Sequence, residues 1–241
     1  MKNKSFCIKA VFFDFDGTLT KPGYLDFPCI KQAIGCSVDT PLLEYIQTLP
    51  PGQKAEAMSK LEGFEIEGAR KAEPHPGAEE IIAYLRSRGI YVGIVSRNTL
   101  SSIGIALENF KTTTLSDFDV IISRDDPVEP KPSGEGILLA ARKLSTQVSQ
   151  VVMAGDFIFD IRAGRDAGAI TVFLDNNSHG PMHESRSAAI AESDYTISTM
   201  EELRDIVRLG IPLPPGKFPN DLLKEVLKHF RFHDPSVLIN P

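Results

Sequence analysis

Two aspartates stand one residue apart at the end of an apolar run near the start of the chain. The segment FFDFDGTLT places Asp14 and Asp16 just after the run Ala10–Phe13. Alternate side chains of a strand share a face, so both carboxylates are expected to point the same way, and Gly17 allows a sharp turn after them. Adjacent carboxylates repel each other, and burying one without a partner is costly. The pair therefore predicts either a bound cation or a catalytic role.

A second acidic pair follows another apolar run. The segment MAGDFIFD places Asp156 after Val151–Ala154 and Asp160 four residues later. Asp160 alone could simply favour the start of a helix. Two acidic pairs at strand ends in one sheet instead predict a site of oxygen ligands for a hard cation such as Mg²⁺.

Polar and basic residues follow two more segments. Ser96 ends the run Ile90–Val95, where its hydroxyl could bind an anion oxygen. Lys131 stands between two prolines in EPKPSG. Because flanking prolines bar a helix, this lysine is expected to be held in place, where it could neutralise carboxylates and bind a phosphate.

The elements that must position these residues are short apolar runs separated by helical patterns. Runs without polar alternation predict strands buried on both faces, and hence a parallel sheet. The predicted strands are Cys7–Phe15, Ile90–Ser96, Phe118–Ser123, Val151–Gly155, Ala169–Leu174 and Tyr195–Ile197. The predicted helices between them are Gly77–Arg88, Glu135–Leu144 and Asp160–Ala167. The alternation indicates the α/β class with a doubly wound parallel sheet.

Residues 22–74 interrupt this alternation and contain no predicted strand. One helix is predicted with Thr40 as its N-cap and Pro41 as its first residue, and a longer one over Gln53–Lys71. We therefore expect a small inserted helical domain, here called the insertion (residues 22–74), between two parts of an α/β core, residues 1–21 and 75–210. Residues 211–241 are expected to form a linker and a helix over Asn220–Phe230. That helix is expected to dock on the domain's own core, and a partner-binding helix is the alternative.

Composition limits the possible partners and location. The 241 residues carry a net charge of −6 and no long basic run, so a nucleic-acid partner is not expected. No apolar segment approaches the length of a membrane span, and no membrane association is expected. Three cysteines without paired or metal-ligand spacing predict reduced thiols and a cytoplasmic location.

The ordered motifs resemble those of the haloacid dehalogenase (HAD) superfamily of hydrolases. The resemblance spans residues 8 to about 175. It rests on DFDGT, then a serine, then a lysine, then GD with a second aspartate, which are Asp14 to Thr18, Ser96, Lys131, Asp156 and Asp160. The segment SRDDPVEPKPSGEGIL and the helical insertion between the first two motifs additionally resemble the phosphoglycolate phosphatase-like branch.

The resemblance implies a Rossmann-like core and a phosphatase activity. By resemblance, Asp14 is the nucleophile that forms an aspartyl-phosphate, and Asp16 is the general acid and base. Mg²⁺ would be held by the Asp14 carboxylate, the Asp16 backbone carbonyl and Asp156. Asp160 would support the site by orienting Lys131 or a metal-bound water. The implied phosphate-binding residues are Gly17, Thr18, Ser96, Arg97 and Lys131.

The implied substrate is a small phosphorylated metabolite, either phosphoglycolate-like or a sugar phosphate. Two alternatives stay open. A phosphomutase resembling β-phosphoglucomutase would need the insertion to hold a second phosphate, for which Arg70 and Lys71 are available. A non-catalytic binding protein on the same fold is the other alternative, but its mark would be loss of Asp14 or Asp16, and both are present.

Overall fold

The computed structural model describes residues 8–176 and 183–209 of the chain. Within these residues, six strands form one parallel sheet in the order β3-β2-β1-β4-β5-β6. The strands are β1 (Ala10–Phe13), β2 (Tyr91–Val95), β3 (Val120–Ile122), β4 (Val151–Gly155), β5 (Ile170–Leu174) and β6 (Tyr195–Ile197). The predicted strands and the predicted doubly wound α/β class are confirmed.

In the described residues, helices lie between successive strands and after the last strand. They are α1 (Phe27–Ile34), α2 (Leu42–Thr48), α3 (Pro51–Ala69), α4 (Ala78–Ser87), α5 (Leu100–Leu107), α6 (Glu135–Lys143), α7 (Ile158–Ala167), α8 (His183–Glu192) and α9 (Met200–Leu209). In the two described ranges, no helix is both long enough and apolar enough to cross a bilayer.

Strand β1 lies at the centre of the sheet, where the strand order reverses. Its residue Phe13 pairs with Ile94 of β2 on one side and with Ala154 of β4 on the other. In open sheets of this kind, ligands bind at the carboxyl edge beside such a reversal point. The ends of β1, β2 and β4 therefore define where a site should lie.

Both faces of the sheet are covered by helices. Val11 and Phe13 pack into a cluster with α4, α5 and α9, whereas Ala10 and Phe12 pack into a second cluster with α6 and α7. This explains why the strands read as continuous apolar runs, because neither face meets water.

The insertion contains α1, α2 and α3 and has a hydrophobic cluster of its own, which includes Ile30, Ile46 and Leu61. At its base, Thr20 and Pro74 form an isolated antiparallel bridge. The chain therefore enters and leaves the insertion side by side. The domain boundaries placed at residues 21/22 and 74/75 stay a prediction.

Several details differ from the sequence-based expectations. The long helix predicted over Gln53–Lys71 starts and ends two residues earlier, at Pro51 and Ala69. Its start includes Pro51 because the first position of a helix does not need the amide hydrogen that proline lacks. Pro41 is the N-cap of α2 instead of its first residue. Helices α1, α5, α8 and α9 were not predicted. The helix predicted over Asn220–Phe230 lies outside the described residues.

Candidate active site

Three carboxylates meet at the carboxyl edge of the sheet. Asp14 follows β1 directly, and its amide donates a hydrogen bond to the Ala154 carbonyl at 2.9 Å. Asp156 follows β4, and Asp160 lies in the first turn of α7. One carboxylate oxygen from each of Asp14, Asp156 and Asp160 lies within 4.8 Å of the others. The two acidic pairs of the sequence thus come together in space.

Lys131 is buried among these acids. Its Nζ donates to Asp160 Oδ1 at 2.7 Å and also to Asp14 Oδ1. Asp160 Oδ2 accepts the backbone amide of Phe157 at 3.0 Å, which fixes this carboxylate at the start of α7. Burial alone lowers the pKa of Lys131, but Asp14 and Asp160 outweigh it and raise that pKa. The lysine is therefore held as a cation facing the Asp14 carboxylate.

Three carboxylates and one lysine lie at this edge of the sheet, so negative charge exceeds positive charge there. Burial, then the charges of Asp14 and Asp160, raise the pKa of Asp156 well above its usual range. Burial and Asp14 also raise the pKa of Asp160 to about 6, although Lys131 opposes this shift. A divalent cation among these oxygens would relieve the repulsion, and carboxylate oxygens are the ligands that Mg²⁺ prefers. The residues present therefore fit a hard-cation site.

Gly17 and Thr18 support Asp156. Gly17 has φ +78°, and a Cβ at this position would lie 2.3 Å from Asp156 Oδ2, so only glycine fits. Thr18 Oγ1 donates to Asp156 Oδ1 at 3.3 Å. The structure thus brings both residues to the acidic cluster, and their binding of phosphate stays a prediction.

Ser96 and Arg97 follow β2 but face different neighbours. Ser96 is buried, and its Oγ accepts the amide of Asn98 at 3.1 Å. Arg97 turns toward the insertion, where Nη2 donates to both carboxylate oxygens of Glu44, at 2.8 and 2.9 Å. Its guanidinium also lies 5.0 Å from the centroid of the Phe159 ring. Arg97 therefore contacts the insertion in this structure, and the phosphate-binding roles of both residues stay predictions.

The carboxylate of Asp16 faces the insertion. Its Oδ2 accepts the side-chain amide of Asn98 at 2.8 Å, and its Oδ1 accepts the hydroxyl of Tyr24. Burial, then the charge of Asp14, raises the pKa of Asp16 well above its usual range. A raised pKa favours the protonated form of this carboxyl group, which is the form that a general acid needs.

Other residues of this edge were not predicted. Asn176 follows β5, and its Nδ2 donates to the Gly17 carbonyl at 2.7 Å and to Asp156 Oδ2 at 3.2 Å. Arg124 follows β3 and forms a bidentate ion pair with Glu65 of α3. Asn98, Arg124 and Asn176 all stand within three residues of a strand end, a signal that could have found them.

The family assignment follows from comparison with known proteins. A family model for haloacid dehalogenase-like hydrolases matches residues 8–168. The chain belongs to this family. An uncharacterized hydrolase of Saccharomyces cerevisiae is 34% identical over 207 residues, covering 84% of this chain and 90% of the relative. The N-acetylmuramic acid 6-phosphate phosphatase of Pseudomonas aeruginosa is 26% identical over 226 residues, covering 85% of this chain and 96% of the relative.

Two solved structures share the fold of this HAD hydrolase. A Lactobacillus plantarum protein assigned as a phosphoglycolate phosphatase superposes with a TM-score of 0.67 at 16% identity, covering 83% of this chain and 99% of that one. The β-phosphoglucomutase of Clostridium difficile superposes with a TM-score of 0.66 at 16% identity, covering 84% and 98%. At such low identity these likenesses concern the fold alone. They agree with the six-stranded sheet and confirm the predicted Rossmann-like HAD core.

Proposed function

We propose that this HAD hydrolase is a Mg²⁺-dependent phosphatase that acts on a small phosphate monoester, phosphoglycolate-like or a sugar phosphate, through an aspartyl-phosphate on Asp14. The observation that carries the proposal is the convergence of Asp14, Asp156 and Asp160, with buried Lys131 paired to Asp14 and Asp160. The phosphatase activity named for the Pseudomonas aeruginosa relative supports the same reaction class.

In the proposed reaction, Asp14 acts as the nucleophile and Asp16 transfers protons. A carboxylate oxygen of Asp14 attacks phosphorus as the bond from phosphorus to the leaving oxygen breaks, and Asp16 gives its proton to that oxygen. In the second step, water attacks phosphorus and gives a proton to Asp16. The bond between Asp14 and phosphorus breaks, inorganic phosphate leaves, and both residues return to their starting states.

Charge neutralisation explains the remaining polar residues. The substrate and the Asp14 carboxylate are both anionic, so their approach requires nearby positive charge. Lys131 already contacts Asp14 and would meet the phosphoryl oxygens. Mg²⁺, held by Asp14, Asp156 and the Asp16 carbonyl, would offset the charge of the transferring group. Gly17, Thr18, Ser96 and Arg97 complete the proposed phosphate-binding set.

The proposed partner is a small phosphorylated metabolite in the cytoplasm. The net charge of −6 argues against a nucleic-acid partner. In the described part of the chain, Cys29 is exposed, Cys36 is buried and both are free thiols, which is typical of a reducing compartment.

A phosphomutase is the alternative within the same core. Arg70 and Lys71, the residues available for a second phosphate, are exposed at the end of α3. Exposed helix charges are commonly solvated, and we therefore favour the hydrolase. Turnover that depends on an added sugar bisphosphate would indicate the mutase.

A screen of small phosphate monoesters, with and without Mg²⁺, tests the proposal. We expect at least one ester to be hydrolysed, the activity to disappear on chelation and to return with Mg²⁺. Asp156→Asn should weaken Mg²⁺ binding measured by calorimetry, whereas Asp39→Asn, an exposed aspartate of the insertion, should not. Activity that survives exhaustive chelation would contradict the proposal.

A further inference from the structure

Both oxygens of the Asp16 carboxylate have a hydrogen-bond donor, and the two donors come from different parts of the fold. Asn98 Nδ2 reaches Oδ2 at 2.8 Å from the loop after β2. The Tyr24 hydroxyl reaches Oδ1 from the insertion. A carboxylate held at both oxygens cannot rotate freely about its terminal bond, so these two contacts set the plane of the group.

Asn98 is held in place by hydrogen bonds of its backbone amide and carbonyl groups. Its amide donates to Ser96 Oγ at 3.1 Å, and its carbonyl accepts the amide of Arg124 at 2.8 Å. The residue is 6% exposed, so its side chain is packed rather than solvated. The core therefore supplies one fixed contact to Asp16.

Tyr24 is held by the insertion. Its ring packs against both the hydrophobic cluster of the core and that of the insertion. Helix α3 approaches it closely at Gly68, where a Cβ would lie 3.1 Å from the Tyr24 ring and 2.7 Å from the Leu25 side chain. Because Gly68 has no side chain, α3 packs closely against Tyr24. A displacement of α3 would therefore displace Tyr24 as well.

We propose that Tyr24 and Asn98 are positioning residues that orient the Asp16 carboxylate for proton transfer. The inference rests on the proposed phosphatase activity and deepens it. A general acid must place its proton within hydrogen-bond reach of the leaving oxygen. Since Tyr24 belongs to the insertion and Asn98 to the core, Asp16 is correctly oriented only when the insertion lies against the core. The insertion thereby takes part in the proton transfer through Tyr24.

Two aryl phosphates of similar shape test this assignment. Nitrophenolate leaves without a proton, whereas phenolate, which is as basic as a tyrosine side chain, gains from one. Tyr24→Phe removes only the hydroxyl. We expect it to slow phosphoenzyme formation from phenyl phosphate about tenfold. This is less than the whole contribution that general acid catalysis usually makes, because the acid itself is still present. Formation from 4-nitrophenyl phosphate should stay within about twofold of wild type.

Tyr45→Phe is the matched control, because Tyr45 packs on the hydrophobic cluster of the insertion and is not one of the two donors. It should leave both rates unchanged. Asn98→Ala should reproduce the pattern of Tyr24→Phe, and the double variant should lose less than the product of the two single losses, since both act on one carboxylate.

The outcomes separate the two proposals. A wild-type protein that hydrolyses no ester of the screen and forms no phosphoenzyme from either aryl phosphate would overturn the proposed function, and this inference with it. An active wild type with equal slowing of both esters in Tyr24→Phe would indicate a structural role and overturn the inference alone. Unchanged rates in both Tyr24→Phe and Asn98→Ala would do the same.

Discussion

The carboxyl edge of the sheet and the insertion contribute to the site in different ways. At the edge, Asp14 and Asp156 directly follow strands, and Lys131 is buried between carboxylates. Their positions follow from the sheet and from one another. The insertion instead reaches the edge through individual side chains, which are Tyr24, Glu44 and Glu65. The residues proposed to perform the chemistry are therefore positioned by the core, and the insertion contacts this edge at a few side chains.

These few contacts are unequal. The pair of Glu65 and Arg124 is nearly buried, with side chains 4% and 12% exposed and N–O distances of 2.6 and 2.7 Å. The pair of Glu44 and Arg97 is much more open, with exposures of 42% and 21%. We infer that the insertion is anchored at α3 and held more loosely at α2. If the insertion moves during turnover, the α2 side should separate first.

The largest effect is expected at the sheet edge. Asp14→Asn removes the proposed nucleophile, so no phosphoenzyme should form and activity should fall about a thousandfold or more, a barrier increase of roughly 4 kcal/mol. Asp16→Asn keeps the Asp14 carboxylate. It should be phosphorylated by 4-nitrophenyl phosphate and then stall, because no base activates the water. Trapping the labelled protein after a rapid acid quench measures both.

Metal binding, measured separately in both variants, is the control for this comparison. Labelled Asp14→Asn would assign the nucleophile to another residue. Equal labelling of the two variants would mean that the roles of the two aspartates are wrongly divided.

The next largest effect is expected at the buried ion pair. Glu65→Gln leaves Arg124 buried without its charged partner and should lower the free energy of unfolding by about 3 kcal/mol. Burial already raises the pKa of Glu65 although Arg124 opposes this shift, so the pair is held in an environment where charge is costly. Urea unfolding monitored by circular dichroism measures the change. A loss no greater than that of Glu44→Gln would remove the distinction between an anchored and a loose side.

The sheet and its acids could be predicted because the relevant signals are local. A buried strand followed by an aspartate places that residue at the carboxyl edge, and this reasoning located Asp14 and Asp156. The phosphate-binding set, the domain boundaries and the roles of individual residues stay predictions. Asn98 and Arg124 stand near strand ends and were within reach of the same reasoning.

The contributions of the insertion could not be predicted in this way. Glu65 meets Arg124 of the core because α3 packs against α5, and Tyr24 meets Asp16 from the start of the insertion. No spacing in the sequence encodes these contacts. Helix α1 is a different case, since Asp26 caps its start and Gly35 ends it in the left-handed conformation. Those signals are local and were overlooked.

The smallest effect is expected at the more open ion pair, between Glu44 and Arg97, and it tests the role of Arg97. Glu44→Gln removes the charge that holds Arg97 toward the insertion, at a stability cost below about 1 kcal/mol. If Arg97 binds phosphate as predicted, the freed guanidinium should turn toward the substrate and lower KM about threefold. Steady-state kinetics with Arg97→Ala and the double variant provide the control, because the lower KM should disappear when Arg97 is absent. A KM that is the same in wild type and in all three variants would show that Arg97 serves only the contact between α2 and the core.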